Sequence, residues 1–131
     1  MGIREEATRL HEGGFNCAQS VLCACGKYTG LDDDTALALS AGFGGGVRCG
    51  EICGAISGAV MAIGMAYPFA DASDAKAKER IAALTRECTG RFENEYGCVR
   101  CCELKASGCS CAALIEYAAA LAEDIINVNK K

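Results

Sequence analysis

The sequence predicts an all-α protein: a single-domain bundle of about five to six helices around a central Gly/Ala-rich helix. Three observations predict it. Apolar residues recur at helical spacing in one segment after another. Glycine-containing turns separate those segments. No stretch alternates polar and apolar residues as a half-buried strand would. The 131 residues fit one domain, 1–131, with no internal repeat and no long linker.

Ile3 to Glu12 read as a first short helix that stops at Gly13-Gly14. Asn16 then has the character of an N-cap, and Gln19, three residues on, completes a capping box. The helix it opens carries Cys17, Val21, Ala24, Cys25 and Tyr28 along one face and ends at Gly30. Asp32, Asp33 and Asp34 start a third helix, where acidic groups suit the positive end of the dipole, and it runs to about Ala41. Gly42-Phe43-Gly44-Gly45-Gly46 is the sharpest break in the chain.

A fourth helix is expected to begin near Cys49 to Glu51. In it Gly50, Gly54, Gly58 and Ala62 recur every four residues and make a smooth ridge along which neighbouring backbones come close. Glycine costs about 1 kcal/mol against alanine inside a helix, so the ridge needs a packing or site reason. Pro68 ends that region. A long amphipathic helix follows from about Ser73 to Glu95, with Ala77, Ile81, Leu84, Cys88 and Phe92 as its apolar stripe. Gly97 precedes a short cysteine-rich helix, Cys98 to Lys105, and Gly108 breaks again. The last helix, about Cys111 to Val128, has two adjacent apolar strips. One is Leu114, Ala118, Leu121 and Ile125; the other is Ile115, Ala119, Ala122 and Ile126.

Composition narrows the function classes. Hydrophobic residues make up 51% of the chain, yet there are four Phe, four Tyr and no Trp, so the core must come from close approach of slender helices. The net charge is −4, with no basic patch interleaved with aromatics, and nothing favours nucleic acid. Ile52 to Ala70 carry no charge over nineteen residues, close to spanning length, but Gly54, Ser57, Gly58, Gly64 and Pro68 favour a buried central helix over membrane insertion. Eleven cysteines is a high and odd count, so complete internal pairing is impossible. The opening Met1-Gly2-Ile3-Arg4-Glu5-Glu6 is charged and leads into no apolar signal segment. It also lacks the Ser or Thr of a myristoylation pattern. A cytoplasmic location with reduced thiols is therefore expected.

The cysteines are the candidates for chemistry. A helix N-terminus lowers a thiol pKa, and Cys17, Cys53, Cys98 and Cys111 all fall at or near predicted helix starts. Backbone N–H groups there would stabilise thiolates or donate to cluster sulfurs. Packing is the competing role, since free cysteine is among the most buried residue types. Cys98-Val99-Arg100-Cys101 is a C-x-x-C without the βαβ context of a thioredoxin. Its neighbours Cys102, Cys109-x-Cys111, Cys49-x3-Cys53 and Cys23-x-Cys25 make neither a zinc ribbon nor a ferredoxin run, so the ligands of any metal must come from distant segments. The glycine run is no phosphate loop, because neither a Lys-Ser/Thr pair follows it nor a strand precedes it. It reads first as a tight crossover loop. The functional alternative is that Gly44, Gly45, Gly46 and Gly50 let backbone approach a cofactor beside Cys49 and Cys53. His11, the single histidine, has no acidic or nucleophilic company, which argues against Cys–His catalysis. Glu51 suits helix capping better than proton transfer.

Phe15-Asn16-Cys17-Ala18-Gln19-Ser20-Val21 resembles the N-terminal signature of a known family. Ala41 to Gly46 followed by Gly50-Glu51-Ile52-Cys53-Gly54-Ala55-Ile56-Ser57-Gly58 resembles its core, and Cys101-Cys102-Glu103-Leu104 with Cys111 ahead of Ile115 resembles its tail. This is the C_GCAxxG_C_C family of redox-active proteins, and the resemblance spans nearly the whole chain. It implies four motif cysteines, which by position are Cys17, Cys53, Cys101 and Cys111. Cys98 and Cys102 neighbour the third of these and Cys109 the fourth. The family is similar to the cysteine-rich domain of split-Soret cytochromes, to whose four cysteines an iron–sulfur cluster is ascribed. Haem is not implied, because no C-x-x-C-H occurs.

The resemblance leads to three expectations. The first is an iron–sulfur cluster on Cys17, Cys53, Cys101 and Cys111 for electron transfer or sensing, exchanging electrons with a redox partner protein. The second is thiol–disulfide chemistry with no cofactor, in which Cys53 attacks and Cys17 or Cys101 resolves. The third is a non-enzymatic metal-handling or zinc-stabilised module. The small-residue ridge and alanine-rich last helix also suggest a homodimer.

Overall fold

The computed structural model describes residues 2–129, and every described element of regular structure is helical. Helix α1 spans Ile3–Glu12, α2 Cys17–Ala24, α3 Gly26–Thr29 and α4 Asp33–Ser40. After a glycine-rich crossover come α5 at Gly54–Ala66, α6 at Ala75–Tyr96, α7 at Cys101–Ala106 and α8 at Cys111–Val128. The all-α expectation holds. The predicted second helix is divided at Cys25, whose ψ of 14° bends the chain before α3 ends at left-handed Gly30.

The capping box at Asn16 forms as the sequence suggests. Gln19 N–H donates to the Asn16 side chain at 2.9 Å, and Asn16 N–H donates to the Gln19 side chain at 3.1 Å. Both side chains also reach across. Asn16 Nδ2 donates to Ala41 O, and Gln19 Nε2 donates to Leu37 O, each at 3.0 Å. The start of α2 is thereby tied to the end of α4 and to the crossover.

Helix α5 is the buried centre, against α2 on one side and α8 on another, with α6 packed alongside. Its glycine ridge explains the close fit. A Cβ on Gly58 would lie 2.7 Å from Ala18 O and 3.0 Å from Val21 Cβ, and one on Gly54 would lie 3.3 Å from Ala18 N. Both strips of α8 are buried along their full length, from Leu114 to Ile126. The ridge and the alanine strip that suggested a homodimer are thus used within the chain. No helix is long and apolar enough to cross a membrane among the described residues.

Two boundaries differ from expectation, both near the cysteines. The central helix begins at Gly54, not at Cys49 to Glu51, so Gly50 lies outside the ridge. The chain here makes a wide turn closed by Glu51 N–H to Gly46 O at 3.1 Å. Gly45, Gly46, Val47 and Arg48 all hold left-handed backbone, with φ of 64°, 65°, 57° and 60°. Val47 is β-branched, so its conformation carries real strain. The short helix likewise begins at Cys101, not at Cys98. Cys98 and Val99 are instead in irregular structure, and Arg100 is extended and makes an antiparallel bridge with Ile52.

Candidate functional site: a four-cysteine chamber

That bridge brings two cysteines together. Cys53 N–H donates to Val99 O at 2.9 Å, and Cys101 N–H donates to Glu51 O at 2.6 Å. The thiols of Cys53 and Cys101 therefore flank one short backbone pairing. Cys17 arrives from the start of α2, and Gly54 holds it close: a Cβ there would lie 3.3 Å from Cys17 Cβ and 2.9 Å from Phe43 O. Cys111 arrives from the start of α8, where Ser110 caps the helix by accepting from Ala113 N–H at 3.1 Å.

Cys17, Cys53, Cys101 and Cys111 line one cavity of about 30 Å³. Gly45 and Gly54 supply its backbone walls and Leu114 an apolar one, while Lys105 is the one charged side chain on the lining. Cys53 and Cys101 are buried, and Cys17 and Cys111 half-buried. Among the glycines expected near a cofactor, Gly45 reaches the lining. Gly44 sits under the Asn16 side chain, Gly46 against the Glu51 backbone and Gly50 against Cys102, each too close for a Cβ to fit freely.

The electrostatics of the chamber oppose bare thiolates. Burial pushes the Cys17 thiol well above its ordinary value, and the neighbouring thiols of Cys111 and Cys53 add to the rise. Burial also raises Cys53, against the pull of backbone N–H groups of Ala55 and Ile56 that donate to its sulfur. A cation-bearing group among these sulfurs would remove the mutual repulsion that packing alone leaves in place.

The other cysteines lie elsewhere. Cys25 and Cys88 are deep in the helical core, and burial pushes each up to about 12. Cys23 donates to Asp33 Oδ1 at 3.5 Å. Cys49 donates to Gly46 O at 3.4 Å, Cys102 is exposed, and Cys98 and Cys109 are half-buried. None of these lines the chamber. Among the described residues, no three His, Cys, Asp or Glu side chains are set to hold a single metal ion. His11 Nδ1 donates to Phe15 O at 3.2 Å and does not line the chamber. Glu51 neither caps α5 nor faces the chamber: its carboxylate pairs with Arg100 at 2.9 Å, and Arg100 also holds Glu103 at 3.0 Å.

Sequence reasoning missed the bridge and Lys105. An isolated two-residue pairing leaves no periodicity to read. Lys105 looks like any basic residue in a last helical turn until the fold sets it beside four cysteines.

An all-α bundle with one thiol chamber at the helix starts defines a small cysteine-rich protein of the redox-active type. The family described as "Putative redox-active protein (C_GCAxxG_C_C)" matches over residues 15–125, and the chain belongs to it. No curated protein and no solved structure matches the chain.

Proposed function

We propose that the chamber is the redox centre of the protein and takes an iron–sulfur cluster for electron transfer or sensing, with Cys17, Cys53, Cys101 and Cys111 as ligands. The observation that carries this reading is the convergence of four cysteines, from segments up to 94 positions apart (111 − 17), on one cavity. The donor chemistry fits: iron–sulfur clusters are held by four thiolates, and their potentials respond to N–H donors such as those of Ala55 and Ile56 at Cys53. A chamber of about 30 Å³ has room for about two water molecules, so loading requires the thiols to part. The bound cluster would supply one-electron chemistry. The chain supplies apolar walls that exclude water, and backbone amides that stabilise negative sulfur.

A second reading is thiol–disulfide exchange at the same cysteines. It is favoured by the closeness of Cys17 and Cys111: the Cys111 thiol raises that of Cys17, in part through a hydrogen bond. It ranks below the first because a nucleophilic thiol works best with a lowered pKa, and both Cys17 and Cys53 are raised.

Anaerobic reconstitution with ferrous iron and sulfide tests the choice. Broad visible absorption with matching iron and sulfide is expected. It should be lost in Cys17→Ser, Cys53→Ser, Cys101→Ser and Cys111→Ser and kept in Cys88→Ala. A protein that stays colourless and metal-free would sink the cluster reading. A reversible disulfide among the same four cysteines, located by peptide mass, would then establish the second.

A further inference from the structure

Lys105 lies on the lining of the chamber. That lining is otherwise cysteine, glycine and leucine, so Lys105 is the one lining residue that carries a formal charge. The residue itself is exposed, and its chain therefore runs from the chamber wall to solvent. The nearby carboxylates are spoken for. Glu51 and Glu103 both pair with Arg100, at 2.9 and 3.0 Å, and no ion pair to Lys105 exists among the described residues. The cation is free to act on whatever enters. The protein as a whole carries −4, so its net charge does not draw anions towards the thiols.

We infer that Lys105 is the charge selector of the chamber: it favours small anions over neutral molecules of the same shape at the four thiols. The ligand class is a compact singly or doubly charged anion that fits beside sulfur. Sulfide delivered to a growing iron–sulfur centre belongs to that class, as does an anionic thiol-reactive oxidant. The inference deepens the redox-centre reading, which supplies the reason for anions to be there, but its test uses metal-free protein and stands whether or not a cluster forms.

The test compares two alkylating reagents of nearly equal size, anionic iodoacetate and neutral iodoacetamide. In each reaction the thiolate sulfur forms a bond to carbon, iodide leaves with the electron pair, and the thiol proton goes to buffer. Rates are read peptide by peptide on reduced, metal-free protein. The ratio of iodoacetate to iodoacetamide rates at Cys101 and Cys111 should exceed the ratio at exposed Cys102. Lys105→Met should lower the chamber ratio about threefold or more, the scale of one charge a few ångströms away in water. Lys105→Arg should preserve it, and high salt should shrink the wild-type preference. An unchanged chamber ratio in Lys105→Met would overturn the inference. So would an equal fall at Cys102, which would mean a general surface field, or chamber thiols that react with neither reagent in the folded protein.

Discussion

Cys88 and Cys53 are both shut away from solvent, at 0% and 2% exposure, yet they sit in opposite kinds of place. Cys88 lies in the middle of α6, on the stripe it shares with Leu84 and Phe92, and its neighbours are core side chains. Cys25, at the bend after α2, is likewise fully buried. Cys53 lies at the mouth of a helix, with two backbone N–H groups on its sulfur and three other cysteines around the same cavity. The helical core and the chamber end therefore use one residue type in two ways. Burial explains the core thiols completely, as small apolar groups. It does not explain the chamber, where neighbouring thiols add to the rise at Cys17 and Cys53 and a close-packed core would have placed valine or leucine.

The largest effect should appear at high pH, where the core thiols act together with Cys17 of the chamber. The core thiols of Cys25 and Cys88 are held near 12, whereas an unfolded thiol ionises near 9.0. Between those values the folded state binds more protons than the unfolded state, so stability is full below about pH 9 and falls as pH rises towards 12. The loss should reach several kcal/mol by strongly alkaline pH, since each unit of pKa difference is worth about 1.4 kcal/mol. Thermal unfolding from pH 7 to 11 checks it. The Cys25→Ala, Cys88→Ala double variant should show a flatter pH profile, and an unchanged slope would break the assignment of the effect to the core.

Next in size is the seam that joins the regions. Gly58→Ala places a Cβ 2.7 Å from a backbone oxygen of α2, where no side-chain rotation relieves it. A loss of about 2 kcal/mol is expected in denaturant titration, even after the helix-propensity gain of alanine. Gly64 is the control: nothing lies within 4 Å of its added Cβ, so Gly64→Ala should be neutral or stabilising. The smallest effect belongs to the chamber end alone. Asn16→Ala removes the cap of α2 and its bond to Ala41, costing about 1 kcal/mol. Because Cys17 is the next residue, the same variant should speed alkylation of Cys17 more than that of Cys88.

Much of this was legible in the sequence, for reasons that differ by element. Helices α1 and α8 follow from apolar spacing and glycine stops, and the start of α2 follows from a capping box whose chemistry is local. The four cysteines lie on one cavity because each opens a helix or precedes one, and helix starts were already where thiol chemistry was sought. What escaped was non-local. Gly50 shares the four-residue spacing of Gly54 and Gly58, so it looked helical, but the pairing of Ile52 with Arg100 pulls the chain out of the helix there. Cys98 follows a glycine as a helix start would, yet the helix begins only at Cys101, after the paired Arg100. Lys105 acquires meaning only from its neighbours in space.

The contact of Gly54 with α2 has a mechanical consequence. Cys53 and Cys17 each stand one residue from a backbone-to-backbone seam that admits no methyl group, so these two sulfurs ride on a single rigid unit. Cys101 hangs from a six-residue helix attached to that unit by one bridge and by the buried Leu104 side chain. Opening of the chamber is then asymmetric. Two sulfurs form a fixed jaw, and the segment carrying Cys101 and Lys105 is the part whose local unfolding free energy sets how often the jaw parts.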